Sequence, residues 1–272
     1  MKNIKNFKKA GFFKKIFIKI CRKLGYEIID QNQFEIVTLN KKINEQVSDI
    51  GQNSINLPLG KVKITRPVKA LDIIIRTCSN VNMLTQNKAR LFEREKIEYT
   101  LRTIISIINS VNYNPMLKKI RISYKVVDHN SSRENLLKID TIFKKYNIDY
   151  KLINLDVSKF EKEIHEVNER GDKVSYNQIS NMANINQSLE ESKNSEDLIY
   201  FVEDDYIHQK NSIGEMILTY ERIASQFNKE IIICPSDYPY LYTKTEPTQN
   251  FLGQDYHWRK VNETLCTFLT SK

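Results

Sequence analysis

Three consecutive acidic residues late in the chain are the residues whose type and position best suit chemistry. Glu203, Asp204 and Asp205 come directly after the apolar run 198–202, which is typical of a buried strand. Three carboxylates at the end of such a strand repel one another and lose hydration, so the arrangement costs free energy unless a cation or hydrogen-bond donors compensate. Mg²⁺ or Mn²⁺, which prefer oxygen ligands, would supply that compensation. The alternative is an acidic turn that caps the following helix.

Side chains alternate along an extended segment, which divides the three acids into two groups. Glu203 and Asp205 are predicted to point to one side and to bind the metal, while Asp204 points to the other.

Polar residues also follow the other apolar runs of this part of the chain. The carboxyl ends of parallel strands form one edge of a sheet, where ligands bind in this class of fold, so we expect these residues to lie near the three acids. They are Arg76 and Thr77 after run 71–75, Asp128 and Asn130 after run 120–127, and Asp237 after run 230–234. Asp128 could bind a ribose or a uracil edge, although an Asp-His-Asn-Ser sequence is also ordinary turn chemistry.

Apolar runs alternate with helical periodicity from residue 70 onward. Predicted strands cover 71–75, 120–127, 150–155, 198–202, 230–234 and 264–269. The helices between them are predicted at 91–109, after a capping-box spacing of Ser131 and Glu134, around Ile179 to Leu189, and after a second such spacing of Ser212 and Glu215. This order predicts an α/β domain over 70–272, with a mixed, mostly parallel sheet and helices on both faces.

Composition excludes several classes of protein. The seven glycines include no two separated by a single residue, so neither a dinucleotide-binding fingerprint nor a Walker loop is present. Four cysteines stand far apart and are predicted to be reduced, buried thiols rather than zinc ligands. His165 and His208 are predicted to be solvated. The net charge of +9 would suit a nucleic-acid-binding protein if the excess lay on the folded domain.

The excess positive charge instead lies at the N-terminus. Nine Lys and Arg residues precede the first acid, Glu27, and removing these nine from the 42 basic residues leaves 33, equal to the number of acidic residues. Residues 1–30 are predicted to form a basic amphipathic helix, with Phe13, Phe17, Ile20 and Leu24 on one face. Residues 31–69 are predicted to be a connector. Because no apolar run is long enough for a membrane span or a secretory signal, we expect a cytoplasmic protein.

Residues 1–24 are predicted to bind an anionic membrane surface, which would place the protein peripherally on the inner face of the cell membrane. The alternative is a surface helix packed on the domain through its phenylalanines. Nucleic acid is not an expected partner, because the remainder of the chain is formally neutral.

The stretch from 71 to 237 resembles the GT-A glycosyltransferases, particularly glycosyltransferase family 2. The residues that carry the resemblance are 71–77, 126–132 (VVDHNSS), the helix with Asn184 and Asn186, and 201–205 (FVEDD), which is similar to the DxD-type metal motif but begins with Glu. The resemblance implies the GT-A fold and transfer of a sugar from a nucleotide-diphosphate donor to a glycan or lipid-linked acceptor in surface polysaccharide synthesis.

The resemblance also implies roles for individual residues. Glu203 and Asp205 would hold Mn²⁺ or Mg²⁺ against the leaving diphosphate, with His257 as a further ligand. Inverting transfer needs a base for the acceptor hydroxyl, for which the candidates are Asp255, favoured, and Asp237. The donor-binding residues would be Asp128 and Asn130 near the nucleoside, Arg76 and Thr77 near ribose or phosphate, and Asp204 near a sugar hydroxyl.

Two other functions use the same residues differently. A metal-dependent phosphoester hydrolase or nuclease would use the same carboxylates, closely paired with a lysine or histidine. A membrane-surface scaffold would use the N-terminal helix as an anchor and would show no metal-dependent nucleotide binding.

Removal of residues 1–24 is expected to abolish binding to anionic vesicles, because each cation near an anionic surface contributes about 1 kcal/mol. Sedimentation with vesicles of anionic and of neutral lipid measures this. Unchanged binding of the truncated protein to the anionic vesicles would contradict the membrane prediction.

Overall fold

The computed structural model describes residues 12–26, 54–57, 62–80, 94–160, 167, 171, 173–236, 248–261 and 267–272. Within these residues the chain forms five α-helices and eight β-strands. The helices are α1 (Phe12–Lys23), α2 (Lys96–Tyr113), α3 (Arg133–Lys145), α4 (Tyr176–Ser192) and α5 (Ser212–Phe227). The strands are β1 (Ser54–Leu57), β2 (Ala70–Thr77), β3 (Arg121–Asp128), β4 (Tyr150–Asn154), β5 (Leu198–Glu203), β6 (Thr248–Leu252), β7 (His257–Arg259) and β8 (Phe268–Ser271).

A five-stranded sheet forms the centre of the molecule, in the order β4-β3-β2-β5-β8. β4, β3, β2 and β5 are parallel to one another, and β8, at the edge beside β5, is antiparallel. All eight residues of β2 are buried, which is expected for the middle strand of a sheet covered on both faces. The predicted α/β class with a mixed, mostly parallel sheet is confirmed.

Helices cover both faces of this sheet. Ile73 and Ile75 of β2 pack on one face with buried residues of α2, α3 and α5, whereas Ile74 packs on the opposite face with Val127 of β3. Helix α4 contacts β2 and β3, and Arg76, on the same face as Ile74, lies 3.5 Å from the side-chain oxygen of Asn181 in α4. Alternation along the strands therefore sends successive polar residues at their ends toward different helices.

A second sheet has the order β1-β6-β7. β1 lies within the segment 31–69 that was predicted to be a connector, and it pairs parallel with β6, while β6 and β7 form an antiparallel pair. At least this part of the segment therefore contributes a strand. The proposed division of the chain at residues 30 and 69 stays a prediction.

Some predicted elements differ from the structure. Residues 230–234 form only one bridge, between Ile233 and Leu269, because the edge beside β5 is already occupied by β8. Helix α2 begins at Lys96. Residues 94 and 95, which the sequence predicted to be helical, lie before the helix. The predicted strand at 264–269 is shifted, since β8 begins at 268.

Both predicted capping boxes were wrong. Ser132, and not Ser131, caps α3, since its hydroxyl accepts from the backbone N–H of Asn135. Ser131 instead donates its hydroxyl to Asp128. The N-cap of α5 is Asn211, whose side chain makes no capping hydrogen bond, and the backbone N–H of Ile213 donates instead to the hydroxyl of Ser110 in α2.

Cys21, Cys78 and Cys234 are free thiols, as predicted, but each is half-buried rather than fully buried. Cys266 and His165 lie outside the described residues. No helix in the described part of the chain has both the length and the hydropathy needed to cross a membrane.

The buried carboxylate of Asp72 connects the sheet to the segment before β5. Its oxygens accept hydrogen bonds from the hydroxyls of Ser123 (2.6 Å) and Ser195 (2.7 Å), and Lys125 Nζ lies 3.2 Å away. Burial alone would raise the pKa of Asp72, but these donors and the charge of Lys125 together hold it below the ordinary value of 3.8.

We therefore expect Asp72→Asn to lower the free energy of unfolding by about 1–3 kcal/mol at pH 7, measured by urea denaturation. A carboxyl whose pKa is depressed in the folded state stabilises the fold above its unfolded pKa and loses that contribution as the pH falls. The difference between the parent and the variant should accordingly shrink below about pH 4. Asp140→Asn is the control, because Asp140 lies near the surface, where it contacts the exposed Lys144 one turn along α3 and the hydroxyl of Tyr150, and its replacement should cost about 1 kcal/mol or less. Equal effects of the two variants would contradict this description.

Candidate functional site

The order of the strands produces a crevice between the carboxyl ends of β2 and β5. From β2 the chain proceeds outward through β3 to β4 on one side, and then crosses back to place β5 on the other side of β2. Ligands of open α/β sheets bind at such a reversal, beyond the carboxyl ends of the two strands. Arg76 at the end of β2 and Glu203 at the end of β5 are register partners at this position.

Glu203 faces α4 and pairs with Arg76. Arg76 Nη2 lies 3.0 Å from Glu203 Oε1, and the arginine side chain is only 6% exposed, against 30% for the glutamate. Burial raises the pKa of Glu203, the charge of Arg76 opposes that rise, and Asp205 and Asp204 add to it. Glu203 is thus a partly exposed carboxylate whose charge is only partly compensated.

Asp204 is turned the other way, into the body of the protein. Its carboxylate lies 2.6 Å from Lys96 Nζ and accepts a hydrogen bond of 2.8 Å from the hydroxyl of Thr100 in α2. The backbone N–H of Cys78 lies 3.4 Å from the same group. Burial raises the pKa of Asp204 above its usual value, although the charge of Lys96 and the hydrogen bond from Thr100 oppose that rise. With both oxygens engaged by protein donors, Asp204 holds the end of β5 against α2 and the loop after β2.

Asp205 is the most exposed of the three acids, with 42% of its side chain accessible. Lys96 Nζ lies 3.4 Å from its Oδ2, so one ammonium group is shared by Asp204 and Asp205. The predicted alternation therefore holds for Glu203 and Asp204 but is wrong for Asp205, which shares Lys96 with Asp204 because β5 ends at Glu203 and residues 204 and 205 form a turn.

Lys96 was not identified from the sequence, although it carried a signal. It is the first residue of α2, where the positive end of the helix dipole disfavours a cation. A lysine at that position indicates that a nearby acid compensates it.

Asp128 joins the loops that follow β2 and β3. It is buried, and its oxygens accept from the hydroxyl of Thr77 (2.6 Å) and from both the hydroxyl (2.6 Å) and the backbone N–H (3.1 Å) of Ser131. The hydroxyl of Ser131 in turn accepts from the backbone N–H of Ser79. Asp128 and Thr77 therefore fix the shape of this part of the crevice. Asn130 is exposed beside them in a left-handed conformation (φ 59°), which asparagine tolerates.

His129 is buried behind these loops. Its Nδ1 lies 2.6 Å from the hydroxyl of Ser180 in α4 and 4.0 Å from Cys78 Sγ. Burial lowers the pKa of His129, although Asp128 opposes the shift, so the ring is neutral near pH 7. His129 connects the loop after β3 to α4.

The carboxylates and cations at this edge do not balance. Over the described residues, Asp128, Glu203, Asp204 and Asp205 are opposed by Arg76 and Lys96, which leaves a formal charge of −2. A diphosphate would add further negative charge. Asp205 and Glu203 are oxygen donors that remain partly accessible, and Mg²⁺ commonly binds through one or two carboxylates together with substrate phosphates. The donor set thus fits a divalent cation.

His257 does not join these carboxylates in the structure. It lies on β7 in the second sheet and lines a cavity of about 940 Å³, whose wall includes residues 206–209 but none of the three acids. Among the described residues, no three Asp, Glu, His or Cys side chains are grouped so as to hold a metal ion. A cation at Asp205 and Glu203 would therefore take its remaining ligands from water or substrate.

Asp255 lies on the turn between β6 and β7. Its carboxylate accepts a hydrogen bond of 2.6 Å from the side-chain amide of Asn211, at the start of α5. Asp237, the other candidate base, lies outside the described residues. The assignment of either residue as the base stays a prediction.

The position of this turn depends on Glu215, which the sequence indicated only as a helix cap. The glutamate is fully buried in α5, and it accepts from the backbone N–H groups of Gln254 (2.9 Å) and Asp255 (3.1 Å) and from the indole N–H of Trp258 (3.1 Å). The signal that could have revealed this role is Gly253. A Cβ at that position would lie 1.8 Å from Glu215 Oε1, so the close approach requires glycine.

His208 also departs from the sequence-based expectation of a solvated residue. Its ring lies 2.8 Å from the hydroxyl of Tyr200 and 3.3 Å from that of Ser106, and burial lowers its pKa to about 4. It is therefore neutral at physiological pH and contributes to the wall of the cavity.

The sequence matches no protein-family model and no curated protein. Function is therefore inferred from the residues and their geometry.

Gly253→Ala is expected to destabilise the fold by about 1–3 kcal/mol, because the new methyl group overlaps the Glu215 carboxylate and the turn must shift. Urea denaturation measures the loss. Gln254→Ala is the control, since the Gln254 side chain is exposed and the substitution keeps the backbone N–H that donates to Glu215, so it should cost about 0.5 kcal/mol or less. A Gly253→Ala protein as stable as the parent would show that Glu215 does not hold the turn closely.

Proposed function

We propose that the protein is a metal-dependent glycosyltransferase of the GT-A type, which transfers a sugar from a nucleotide-diphosphate donor to a hydroxyl group. The observation that carries the proposal is the exposed carboxylate of Asp205, which follows the partly exposed Glu203 at the crevice where the strand order reverses. The α/β fold, with its mostly parallel sheet, is compatible with that class.

The residues around the crevice would contact or position different parts of the donor. Asp128, through Thr77 and Ser131, holds two loops in the shape that would receive the nucleoside. Asn130 would contact the nucleoside from the rim, and Arg76 would share its guanidinium between Glu203 and a donor phosphate. Lys96 holds Asp204 inward and keeps Asp205 at the surface.

Asp205 and Glu203 would hold Mn²⁺ or Mg²⁺, which supplies neutralisation of the leaving diphosphate. The acceptor hydroxyl would lose its proton to Asp255 or Asp237, if transfer inverts the sugar configuration. We propose that Asp204 supports the site and does not contact a sugar hydroxyl, because its oxygens already accept from Lys96 and Thr100.

The N-terminal helix would place this chemistry at a membrane. Helix α1 presents Phe13, Phe17 and Ile20 with 84%, 59% and 52% of each residue exposed, and the segment before it is strongly basic. An exposed apolar face flanked by cations is typical of helices that lie in an anionic lipid surface. We therefore include peripheral attachment to the inner face of the cell membrane, and synthesis of a surface glycan, in the proposal.

One observation favours a second candidate function. A metal-dependent phosphoester hydrolase pairs its carboxylates closely with a lysine or histidine, and Lys96 is so paired with Asp204 and Asp205. The neutral charge of the chain after residue 24 argues against a nucleic-acid substrate. Release of phosphate from a nucleoside diphosphate, without sugar transfer, would favour this candidate.

Nucleoside diphosphates with Mn²⁺ are expected to raise the melting temperature by about 5 °C or more at a hundredfold excess over Kd, and to do so less without Mn²⁺. Asp205→Ala should abolish the increment due to Mn²⁺, because the most accessible carboxylate is lost. Asp156→Ala is the matched control, since Asp156 is an exposed acid at the same edge of the sheet, after the distant strand β4. Equal shifts in Asp205→Ala and the parent would refute the metal site as proposed.

A further inference from the structure

The cavity beside the carboxylate crevice is formed between α5, the segment 231–236 and the second sheet. Its volume of about 940 Å³ lies in the range of small-molecule sites, which are mostly apolar with a few polar groups. Its wall is mainly apolar and aromatic, and includes Met216, Ile223, Ile231, Ile233, Phe251 and Trp258.

Part of the cavity wall is adjacent in the sequence to the proposed donor site. Residues 206–209, which form part of its wall, follow Asp205 directly. The part of the cavity formed by residues 206–209 is therefore the part that the chain connects most directly to the carboxylates at the end of β5.

Large apolar side chains of the same wall are open to solvent. Ile207 is 65% exposed, Ile232 53%, and Phe227 and Tyr256 43% each. Clustered exposed apolar side chains around a concave site indicate that the ligand that enters it is itself apolar. Their exposure costs free energy that such a ligand would recover.

One polar group in the wall lacks a partner. The hydroxyl oxygen of Ser236 is buried and makes no hydrogen bond within the described residues. Buried polar atoms are nearly always satisfied, so this hydroxyl is suited to a ligand that carries a hydrogen-bonding group at one end. The apolar wall and the Ser236 hydroxyl together thus suit a molecule with an apolar body and a polar end.

We propose that this cavity binds the apolar aglycone of the acceptor, so that the acceptor is a sugar linked to an alkyl or aryl group and not a free sugar. The assignment rests on the proposed glycosyl transfer. The apolar group lies against Ile232 and Trp258, and the sugar at its end lies toward residues 206–209 and Asp205.

Trp258 is the only tryptophan of the chain, so its fluorescence reports on the cavity without any need for activity. The full-length protein is titrated with n-octyl β-D-glucopyranoside below its critical micelle concentration, with phenyl β-D-glucopyranoside and with glucose. A saturable change is expected with the alkyl or the aryl glucoside, and the stronger of the two identifies the kind of aglycone. No change is expected with glucose.

Ile232→Asn should weaken binding of the preferred glucoside about tenfold, because part of an isoleucine side chain leaves the contact. Ile64→Asn is the matched control, since Ile64 is 42% exposed and is not part of the cavity wall. Equal affinities of the parent and Ile232→Asn, the absence of a saturable change, or an equal response to glucose would each overturn the proposal.

The thermal shift with nucleoside diphosphate, measured on the same preparation, separates the two proposals. An intact nucleotide shift without glucoside binding would overturn the cavity assignment alone. Glucoside binding without any thermal shift from the nucleotide would overturn two claims, the assignment of the cavity as an acceptor site and the proposed glycosyl transfer.

Discussion

Compensation of negative charge at the carboxyl ends of β2 and β5 is the constraint on which this structure depends. Glu203 and Asp204 point to opposite faces of the sheet, and each meets a cation from a different helix or strand, Arg76 or Lys96. These two pairs fix β5 to β2 and to α2. Asp205 remains at the surface beside them, and the edge keeps a formal charge of −2 over the described residues. The side chains that join β5 to β2 and α2 are therefore the same group in which we propose a cation site.

A second buried carboxylate, Glu215, lies in the first turn of α5. Two backbone N–H groups and the Trp258 indole N–H donate to its carboxylate. Because those donors come from the turn between β6 and β7, Glu215 attaches the second sheet to the main body. The same attachment encloses the cavity and places Asp255 at its turn. The proposed acceptor site therefore depends on a carboxylate that performs no chemistry.

The sequence predicted those features that depend on local periodicity and missed those that depend on distant partners. The apolar runs correctly indicated β2 and β5, which are buried on both faces and have little polar alternation, and they also indicated the less buried strands β3 and β4. The pairing of β1 with β6 joins residues almost 200 positions apart, and no local pattern encodes it. In the site, the alternation of Glu203 and Asp204 followed from strand geometry, whereas Lys96, Ser180 and Glu215 were assigned partners only by tertiary packing. The two capping boxes were wrong because Ser131 and Glu215 have better partners elsewhere in the fold.

A crystal structure of the protein with Mn²⁺ and a nucleoside diphosphate tests the central claim most directly. The account predicts an anomalous manganese peak bound to the Asp205 carboxylate, with Glu203 as a direct or water-mediated neighbour and diphosphate oxygens completing the coordination. Lys96 should remain paired with Asp204 in that complex. A diphosphate bound away from the ends of β2 and β5, or a manganese ion that does not contact Asp205, would contradict it.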